Sequence, residues 1–451
     1  MKKLRVLIIA EAANPDLTSV ALIGYSLSQA LASRCDMHLV TESRNAESIL
    51  AAGVSAEHFT AIDNPAQRIA FRMAKFLRGG NSLGWTIHSA FTTLAYPIFE
   101  RKTWRRFAER LKNGEFDLVH RITPLSPTTP SFLADKLAKI QVPLILGPLN
   151  GGVPWPAGFD QVRRAEREWL GYCRDLYRLL PGVKTTRHNA AALILASRHT
   201  YQEVTNGHPD LETKAIWLPE NAIDPERFPE ISIDPPPPPD DRPLHVAFVG
   251  RLVPYKGADM LLEAAAPLIR NRQITLEIIG DGPQMNELQQ IVDREKLADG
   301  VQLPGWVAHE EVRRHLTHAQ IFAFPSVREF GGGVVLEAMA MGLTPVVLDY
   351  GGPAELIPDG CGIVIPIGDR EAIINRFREA LENLIGDPKA VHQMGLQAQR
   401  YVRNHFTWKA KARQIETIYY WVIADSPDPK PNLMLSPANE TSEDGSISFQ
   451  S

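Results

Sequence analysis

The chain has 451 residues, which is too long for a single hydrophobic core and predicts two domains. Its apolar share of 44%, charged share of 22% and formal net charge of −4 give no reason to expect nucleic acid as the main partner. The three cysteines are far apart and show no Cys-x-x-Cys spacing, which argues against a disulfide framework or a zinc site and favours a cytoplasmic location.

Short apolar runs alternate with longer helical patterns, which predicts parallel α/β sheets. The first run, residues 4–10, ends at Glu11 after the length of one strand, so it is interpreted as a strand and not as a signal peptide. No apolar run reaches the roughly 18 residues that a membrane span needs. The other predicted strands are residues 37–40, 116–120, 143–147 and 192–197 in the first half, and 244–250, 274–280, 321–325 and 344–348 in the second.

A proline-rich stretch, residues 234–243, separates the two halves and cannot belong to a sheet. The sequence predicts two Rossmann-like, doubly wound domains that face a cleft, one over residues 1–220 and one over 221–405. A long amphipathic helix that crosses back to the first domain is expected over 406–425, and the Pro-, Ser- and acid-rich residues 426–451 predict a disordered tail. Such domains bind ligands at the carboxyl ends of their strands, so the functional residues are expected there.

The most informative segment is Glu329-Phe-Gly-Gly-Gly-Val-Val-Leu-Glu337, which holds two carboxylates with three consecutive glycines between them. Glycine lets a backbone approach a ligand closely, and residues 334–342 predict a helix that starts at the glycines and ends at Gly342. A helix N-terminus binds phosphate through its unpaired N–H groups and its dipole. A phosphate site between two carboxylates suits a sugar joined to a nucleotide diphosphate. The alternative is a Gly-rich turn with two solvated glutamates.

Two cations follow the first predicted strand of the second half, in the segment from Gly250 through Arg251 to Lys256. An arginine offers a bidentate fork and a lysine a point charge, and a strand end is where a diphosphate would be bound. The alternative is a pair of ordinary surface cations.

Two further turns lie at the same predicted edge of the sheet. The turn that contains Gly280 and Gly282 ends the next strand, where it either holds the nucleotide or is only a turn. Trp306 follows another short strand, and we interpret it as a packing residue, with a contact to the base as the alternative.

These elements, in this order, resemble the donor domain of glycosyltransferase family 4, which contains retaining enzymes of the GT-B fold. The resemblance rests on Gly250-Arg251, Lys256-Gly257, the turn from Gly280 to Pro283, Gly305-Trp306, Pro325-Ser326 and the pair Glu329 and Glu337. The segment from Pro219 to Asp224 is similar to the interdomain Asn-Gly-Ile/Val-Asp signature of that family, with Ala222 in place of the usual glycine. The resemblance covers the second half of the chain well and the first half loosely.

The resemblance implies an N-terminal acceptor domain and a C-terminal donor domain for a nucleotide-sugar. It implies that Arg251 and Lys256 bind the diphosphate, that Glu329 is a catalytic residue holding the donor sugar, and that Glu337 binds the ribose. The implied donor site also includes Gly250, Gly280, Gly282, Trp306, Gly331, Gly332, Gly333 and Val334. Retention would follow from front-face attack, in which the leaving phosphate takes the acceptor proton. No Asp-x-Asp motif occurs in the chain, so neither a metal nor a cofactor is expected.

The first half supplies one further catalytic candidate and the acceptor-side candidates. His120 and Arg121 end a predicted strand and are expected to face the cleft. By position, His120 resembles the histidine of the family that approaches the donor sugar; the alternative is a structural histidine. Asn150, Gly151 and Gly152 follow the next strand in a loop similar to a Gly-rich loop of the family, and the alternative is a tight turn. Arg121 and these three residues are the acceptor-side candidates.

Residues 64–99 contain no Asp or Glu. Within them, Arg68, Arg72, Lys75 and Arg78 fall on one face of a predicted helix. Basic amphipathic helices lie on anionic membranes or bind anionic acceptors. Two interpretations stay open: peripheral contact with the inner face of the plasma membrane, and a solvated helix face packed on the sheet.

The resemblance implies a cytoplasmic glycosyltransferase of polysaccharide or glycolipid biosynthesis that moves a hexosyl group to a saccharide or lipid-linked saccharide. The alternatives are a sugar-phosphate-using synthase of the same fold and a catalytically inactive subunit that binds a nucleotide-sugar. A nicotinamide dehydrogenase fits poorly, because Glu11-Ala-Ala-Asn-Pro15 follows the first strand in place of Gly-x-Gly-x-x-Gly. The chain also lacks the Gly-x4-Gly-Lys-Ser/Thr motif of a P-loop nucleotidase.

Overall fold

The computed structural model describes residues 3–65, 85–151, 153–165, 182–230, 242–424 and 429–433. Within these ranges the strands are β1 Arg5–Ala10, β2 Asp36–Glu42, β3 Phe59–Ile62, β4 Leu118–Thr123, β5 Leu144–Leu149, β6 Ala192–Leu195, β7 Ala215–Trp217, β8 Leu244–Val249, β9 Ile274–Ile279, β10 Val301–Gly305, β11 Ile321–Phe324, β12 Thr344–Leu348 and β13 Ile363–Ile365. The helices are α1 Val20–Ala32, α2 Ala46–Ala51, α3 Trp85–Lys112, α4 Ala134–Lys139, α5 Asp160–Ala165, α6 Val183–Asn189, α7 Arg198–Thr205, α8 Pro209–Glu212, α9 Ala258–Arg270, α10 Met285–Glu295, α11 His309–Leu316, α12 Gly333–Ala340, α13 Gly352–Glu355, α14 Arg370–Gly386, α15 Pro388–His405 and α16 Trp408–Ile423.

The strands form two separate parallel sheets. The first has the order β3-β2-β1-β4-β5-β6-β7 and the second the order β10-β9-β8-β11-β12-β13. Each sheet runs outward in both directions from a central pair, β1 with β4 and β8 with β11, so each is doubly wound. This confirms the predicted fold class of two Rossmann-like domains.

Helices cover both faces of the first sheet, as the alternation of side chains along a strand requires. On β1, Val6 and Ile8 join the hydrophobic cluster that includes residues of α1 and α16. The intervening Leu7 and Ile9 join a second cluster, which includes residues of α3 and α4. Every one of these four side chains is buried, so the strand reads as a continuous apolar run in the sequence.

The C-terminal helix α16 crosses back to the first sheet, as expected. Its Tyr419 lies in the same buried cluster as the side chains of β1 and α1. Its Glu416 carboxylate accepts a hydrogen bond from Nε of Arg34 at 2.8 Å. At the start of the helix the buried Lys411 Nζ donates to the carbonyl oxygen of Pro219 at 2.7 Å. The helix therefore ties the second half of the chain to the first half and to the segment that joins them.

The sequence predicts the central strands well and misses three edge strands. Observed and predicted strands overlap at β1, β2, β4, β5, β6, β8, β9, β11 and β12, and β10 is the short strand expected before Trp306. The missed strands β3, β7 and β13 are only three or four residues long and each lies at the edge of its sheet. The strands β6 and β11 are equally short, but all their residues are buried and form an apolar run, whereas the missed strands are partly exposed and show neither such a run nor a recognisable period.

Most of the tail predicted to be disordered lies outside the described residues, but residues 429–433 do not. There Lys430 Nζ donates to the hydroxyl of Tyr201 and to the carbonyl oxygen of Glu212, both at 2.8 Å. This short segment contacts the first half of the chain, and the disorder of the tail stays a prediction. The proposed domain boundaries stay predictions. Among the described helices, none is both long and apolar enough to cross a membrane.

Candidate functional site

Main-chain hydrogen bonds join the loops at the carboxyl edge of the second sheet. Leu252 N, after β8, donates to the carbonyl oxygen of Asp281, after β9, at 3.0 Å. Gly280 N donates to the carbonyl oxygen of Gly305, at the end of β10, at 2.9 Å. A Cβ at position 280 would collide with the carbonyl oxygen of Gly250, so glycine is required by the close approach of two loops.

The loop after β11 is joined to its neighbours in the same way. Val327 N donates to the carbonyl oxygen of Tyr255, after β8, at 2.9 Å. Gly352 N, after β12, donates to the carbonyl oxygen of Glu329 at 3.1 Å. The residues of the predicted donor site are thus brought together on one connected loop surface at the central strands β8 and β11.

An ion pair between Lys256 and Glu329 lies at the centre of this surface. Nζ of Lys256 bonds directly to Oε2 of Glu329, and both side chains are mostly covered. Burial and the neighbouring Arg251 lower the pKa of Lys256 to about 7, whereas the Glu329 carboxylate favours the charged ammonium. The Arg251 guanidinium is exposed and donates to the Tyr255 hydroxyl at 3.0 Å. The loops after β8 and β11 therefore bring two cations, Arg251 and Lys256, close to one carboxylate, Glu329.

Helix α12 begins beside this pair, within one residue of the predicted start. Its N-cap, Gly332, has a left-handed backbone with φ of 61°, and the first helical residue is Gly333. Glu337 is half-buried about one turn inside the helix, as expected. A chain turn at Gly342 follows, with φ of 77°. The helix N-terminus, with Val334 in its first turn, lies where the sequence predicts an anion site.

Trp306 follows β10 at the edge of the second sheet and is 75% exposed. Our interpretation of this residue as a packing residue is therefore wrong. Strand β10 has a neighbour on one side only, so the residue that follows it has little to pack against. The exposed indole leaves the alternative, a contact to a base, in place.

His120 and Arg121 do not face the cleft, so the expected position of both residues is wrong. They are 0% and 1% exposed, because β4 continues to Thr123 and both residues lie inside a central strand. Nδ1 of His120 lies 2.6 Å from the Tyr419 hydroxyl, and Nε2 lies 2.7 Å from the carbonyl oxygen of Gly147. With both ring nitrogens engaged, His120 has no free nitrogen to present to a sugar.

Arg121 supports a loop from inside the first half. Its guanidinium donates to the carbonyl oxygen of Thr129 at 3.1 Å and lies 5.8 Å from the ring centre of Tyr96. The buried Glu100 accepts from Ser131 in the same loop at 2.8 Å. Together these groups hold the Pro-rich loop that follows β4.

The loop after β5 touches the second half of the chain. Asn150 is buried, and Gly151 accepts a hydrogen bond from the Thr200 hydroxyl at 3.1 Å. Gly152 lies outside the described residues. Trp155, which the sequence did not single out, lies edge-on to Tyr255, with ring centres 6.1 Å apart, and under the Arg328 guanidinium at 4.9 Å. The signal in the sequence that could have identified Trp155 is the presence of a tryptophan in a Gly- and Pro-rich loop.

The sequence analysis also missed a second contact between the two halves of the chain. The Glu355 carboxylate, at the end of α13, accepts from the backbone N–H of Arg198 at 2.9 and 2.8 Å and from Nε1 of Trp217 at 3.1 Å. Arg198 is the first residue of α7, so a carboxylate of the second half caps a helix of the first half. Burial raises the pKa of Glu355 to about 7.

Two doubly wound domains that meet across a cleft, with a C-terminal helix that crosses back, define the GT-B fold. The family model described as "Glycosyl transferases group 1" matches residues 243–383. Among solved structures, sucrose-phosphate synthase from Thermosynechococcus elongatus has a TM-score of 0.61 at 18% identity, covering 94% of this chain and 100% of that one. This likeness supports the fold alone.

Sequence relatives give the family. The alpha-maltose-1-phosphate synthase of Mycolicibacterium smegmatis is 30% identical over 270 residues, which is 55% of this chain and 68% of that protein. The alpha-D-kanosaminyltransferase of Streptomyces kanamyceticus is 33% identical over 182 residues, which is 40% of this chain and 46% of that protein. The match spans about half the length of this and two other curated relatives. The chain belongs to the glycosyl transferases group 1 family.

The burial of His120 makes a prediction about acid stability. Burial lowers its pKa to about 4, below the ordinary value of about 6.5, so the folded protein holds the neutral ring. Between these values the unfolded chain binds the proton more readily. We expect the free energy of unfolding to fall as the pH is lowered from about 6.5 to about 4, by up to about 3 kcal/mol from this group.

Urea titrations across this pH range measure the effect. The variant His120→Gln has no titrating ring, so it should be less stable at neutral pH but lose less stability on acidification. Equal losses in the two proteins would contradict the assignment of His120 as a buried neutral residue.

Proposed function

We propose that the protein is a retaining glycosyltransferase that moves a hexosyl group from a nucleotide-diphosphate sugar to a hydroxyl group of a saccharide or lipid-linked saccharide. The observation that carries this proposal is the Lys256–Glu329 ion pair beside the N-terminus of α12. It lies at the carboxyl ends of β8 and β11, the switch point where doubly wound sheets bind nucleotides. Membership of the glycosyl transferases group 1 family supports the same class of reaction.

In this proposal the diphosphate replaces Glu329 as the partner of Lys256. Arg251, exposed at the mouth of the same loop, adds a second positive charge, and the N–H groups at the start of α12 bind a phosphate oxygen. Glu329 is then released towards the hydroxyl groups of the donor sugar, and Glu337 binds the ribose. The exposed ring of Trp306 offers an apolar face to the base.

The transfer step follows from these roles. The bond between the anomeric carbon and the diphosphate oxygen breaks, and its electron pair goes to the diphosphate. The acceptor hydroxyl oxygen forms the new bond on the same face of the sugar, and its proton passes to the departing diphosphate oxygen. Negative charge grows on that oxygen, so Lys256, Arg251 and the helix N-terminus stabilise the transition state more than the ground state. These groups stabilise the negative charge that a divalent ion stabilises in metal-dependent enzymes. We therefore propose that the reaction needs neither a metal nor a cofactor.

The relative named alpha-maltose-1-phosphate synthase, of which this chain covers 68%, supports a second candidate, a synthase of the same fold that uses a sugar phosphate as acceptor. Assays with glucose 1-phosphate and with unphosphorylated saccharides as parallel acceptors separate the two candidates. Binding of a nucleotide-sugar without turnover on any acceptor would favour the inactive subunit.

Nucleotide binding tests the donor site directly. We expect one series among the uridine, guanosine and adenosine diphosphates and their sugars to raise the melting temperature, because binding to the folded state alone stabilises it. The shift should be the same with EDTA present. No shift with any of these nucleotides would contradict the proposal, and a shift lost in EDTA would contradict metal independence.

Removing either partner of the ion pair tests the catalytic assignment. Lys256→Ala and Glu329→Ala should each lower kcat/KM by at least about 100-fold, because each removes a charge that acts in the transition state. Turnover with the donor identified by nucleotide binding measures this. Lys389→Ala and Glu382→Ala change the same residue types at exposed helical positions and should keep full activity. Wild-type turnover of both ion-pair variants would show that the site is elsewhere.

We also propose that the protein contacts anionic membranes through Arg68, Arg72, Lys75 and Arg78, which lie outside the described residues. Exposed Arg105 and Arg106 continue the basic character along α3. Neutralising the four residues to Gln should weaken binding to phosphatidylserine vesicles by at least about tenfold. Co-sedimentation measures it, and neutralising the exposed Arg270, Arg272, Arg294 and Lys296 of the second half is the matched control. Equal partitioning of all three proteins would contradict membrane contact through this segment.

A further inference from the structure

The side chain of Asn150 lies where the first sheet, the connecting segment and the Glu329 loop meet. Its Nδ2 donates to Oε1 of Glu220 at 2.6 Å and to the carbonyl oxygen of Phe330 at 3.2 Å. Its Oδ1 accepts from the hydroxyl of Ser197, the N-cap of α7, at 3.2 Å. The amide therefore has a fixed orientation, because both its donor and its acceptor atoms are bonded.

The Glu220 carboxylate packs directly on the glycine-containing donor loop, which we define as residues 325–332 between β11 and α12. A Cβ at position 331 would collide with Oε1 of Glu220 and with the side-chain nitrogen of Asn221. Glu220 is 4% exposed, and its buried Oε2 has no hydrogen-bond partner among the described residues. Burial raises the pKa of Glu220. The bond from Asn150 is thus the side-chain contact that orients this carboxylate against Gly331.

These contacts reach the start of α12. Phe330, whose carbonyl oxygen Asn150 binds, is two residues before the N-cap Gly332, and Gly331 lies between them. The glycines allow many backbone conformations, so the loop needs external contacts to hold one. Part of that support comes from the other half of the chain, through one amide group.

We propose that Asn150 is a positioning residue for the donor-phosphate loop, acting through Phe330 and Gly331, and not an acceptor-side residue. The assignment of a phosphate to this loop rests on the proposed function; the ordering of the loop by Asn150 does not. Docking of the first domain then completes the phosphate site of the second. Loss of the amide leaves Oε1 of Glu220 and the Phe330 carbonyl oxygen without this donor, which favours other loop conformations.

Hydrogen exchange of the free protein tests the ordering role without any ligand. In Asn150→Ala and the isosteric Asn150→Asp, the amides of residues 330–335 should exchange about tenfold faster than in the wild type. Exchange in β9, far from the contact, should not change. The matched control is Asn189→Ala, which removes an exposed amide that donates to Asp135 at 2.6 Å within the first half. Unchanged exchange at 330–335, or equal acceleration throughout the chain, would overturn the proposal.

Calorimetric titration with UDP, GDP and ADP then tests the donor role. If the wild type binds one of them, Asn150→Ala should raise its Kd about five- to tenfold, and Asn189→Ala should leave it unchanged. An unaltered Kd in Asn150→Ala would overturn the donor assignment. If the wild type binds none, the proposed function fails, and the exchange measurement still decides whether Asn150 orders the loop.

Discussion

A lysine and a glutamate that are both largely withdrawn from water are stable only as a pair, because each charge alone would lose several kcal/mol of hydration. Lys256 and Glu329 meet this constraint by coming from the loops of the adjacent strands β8 and β11. The two charges neutralise each other, and in the proposed function a diphosphate would replace Glu329 as the anionic partner of Lys256. The loops around the pair are fixed to one another by main-chain bonds, so the exchange needs no rearrangement of the sheet.

The two halves of the chain depend on each other at several points. Helix α16 returns to the first sheet, and its Lys411 binds the carbonyl oxygen of Pro219 in the connecting segment. Glu355 of the second half caps α7 of the first half, and Asn150 of the first half binds the donor loop of the second. The acidic and amide groups of these contacts converge on the start of α7. The cleft is therefore bordered by contacts that are specific in geometry, and not by apolar packing alone.

The sequence allowed the central architecture to be predicted because buried parallel strands are continuous apolar runs, as in β1 and β11. It also located Lys256 and Glu329, since local spacing after each strand determines which side chains reach the sheet edge. His120 and Arg121 were misplaced because polar residues near the end of a predicted strand resemble residues at the carboxyl edge of the sheet. Both side chains instead form hydrogen bonds inside the protein, His120 with Tyr419 and Arg121 with Thr129, and the first of these joins residues 299 positions apart. The hydrogen bonds of Asn150 to Glu220 and Phe330 could not be predicted either, because a contact across the cleft leaves no local signal in the sequence.

The loops at residues 250–252, 280–284 and 305 are joined by main-chain bonds, which do not depend on their exposed side chains. An exposed residue such as Trp306 can change without loosening the turn that carries it. In the proposed function, substitutions at this edge would change the base that is bound while the backbone around Lys256 and Glu329 stays the same. In a fold built in this way, the substrate can change during evolution while the reaction stays the same.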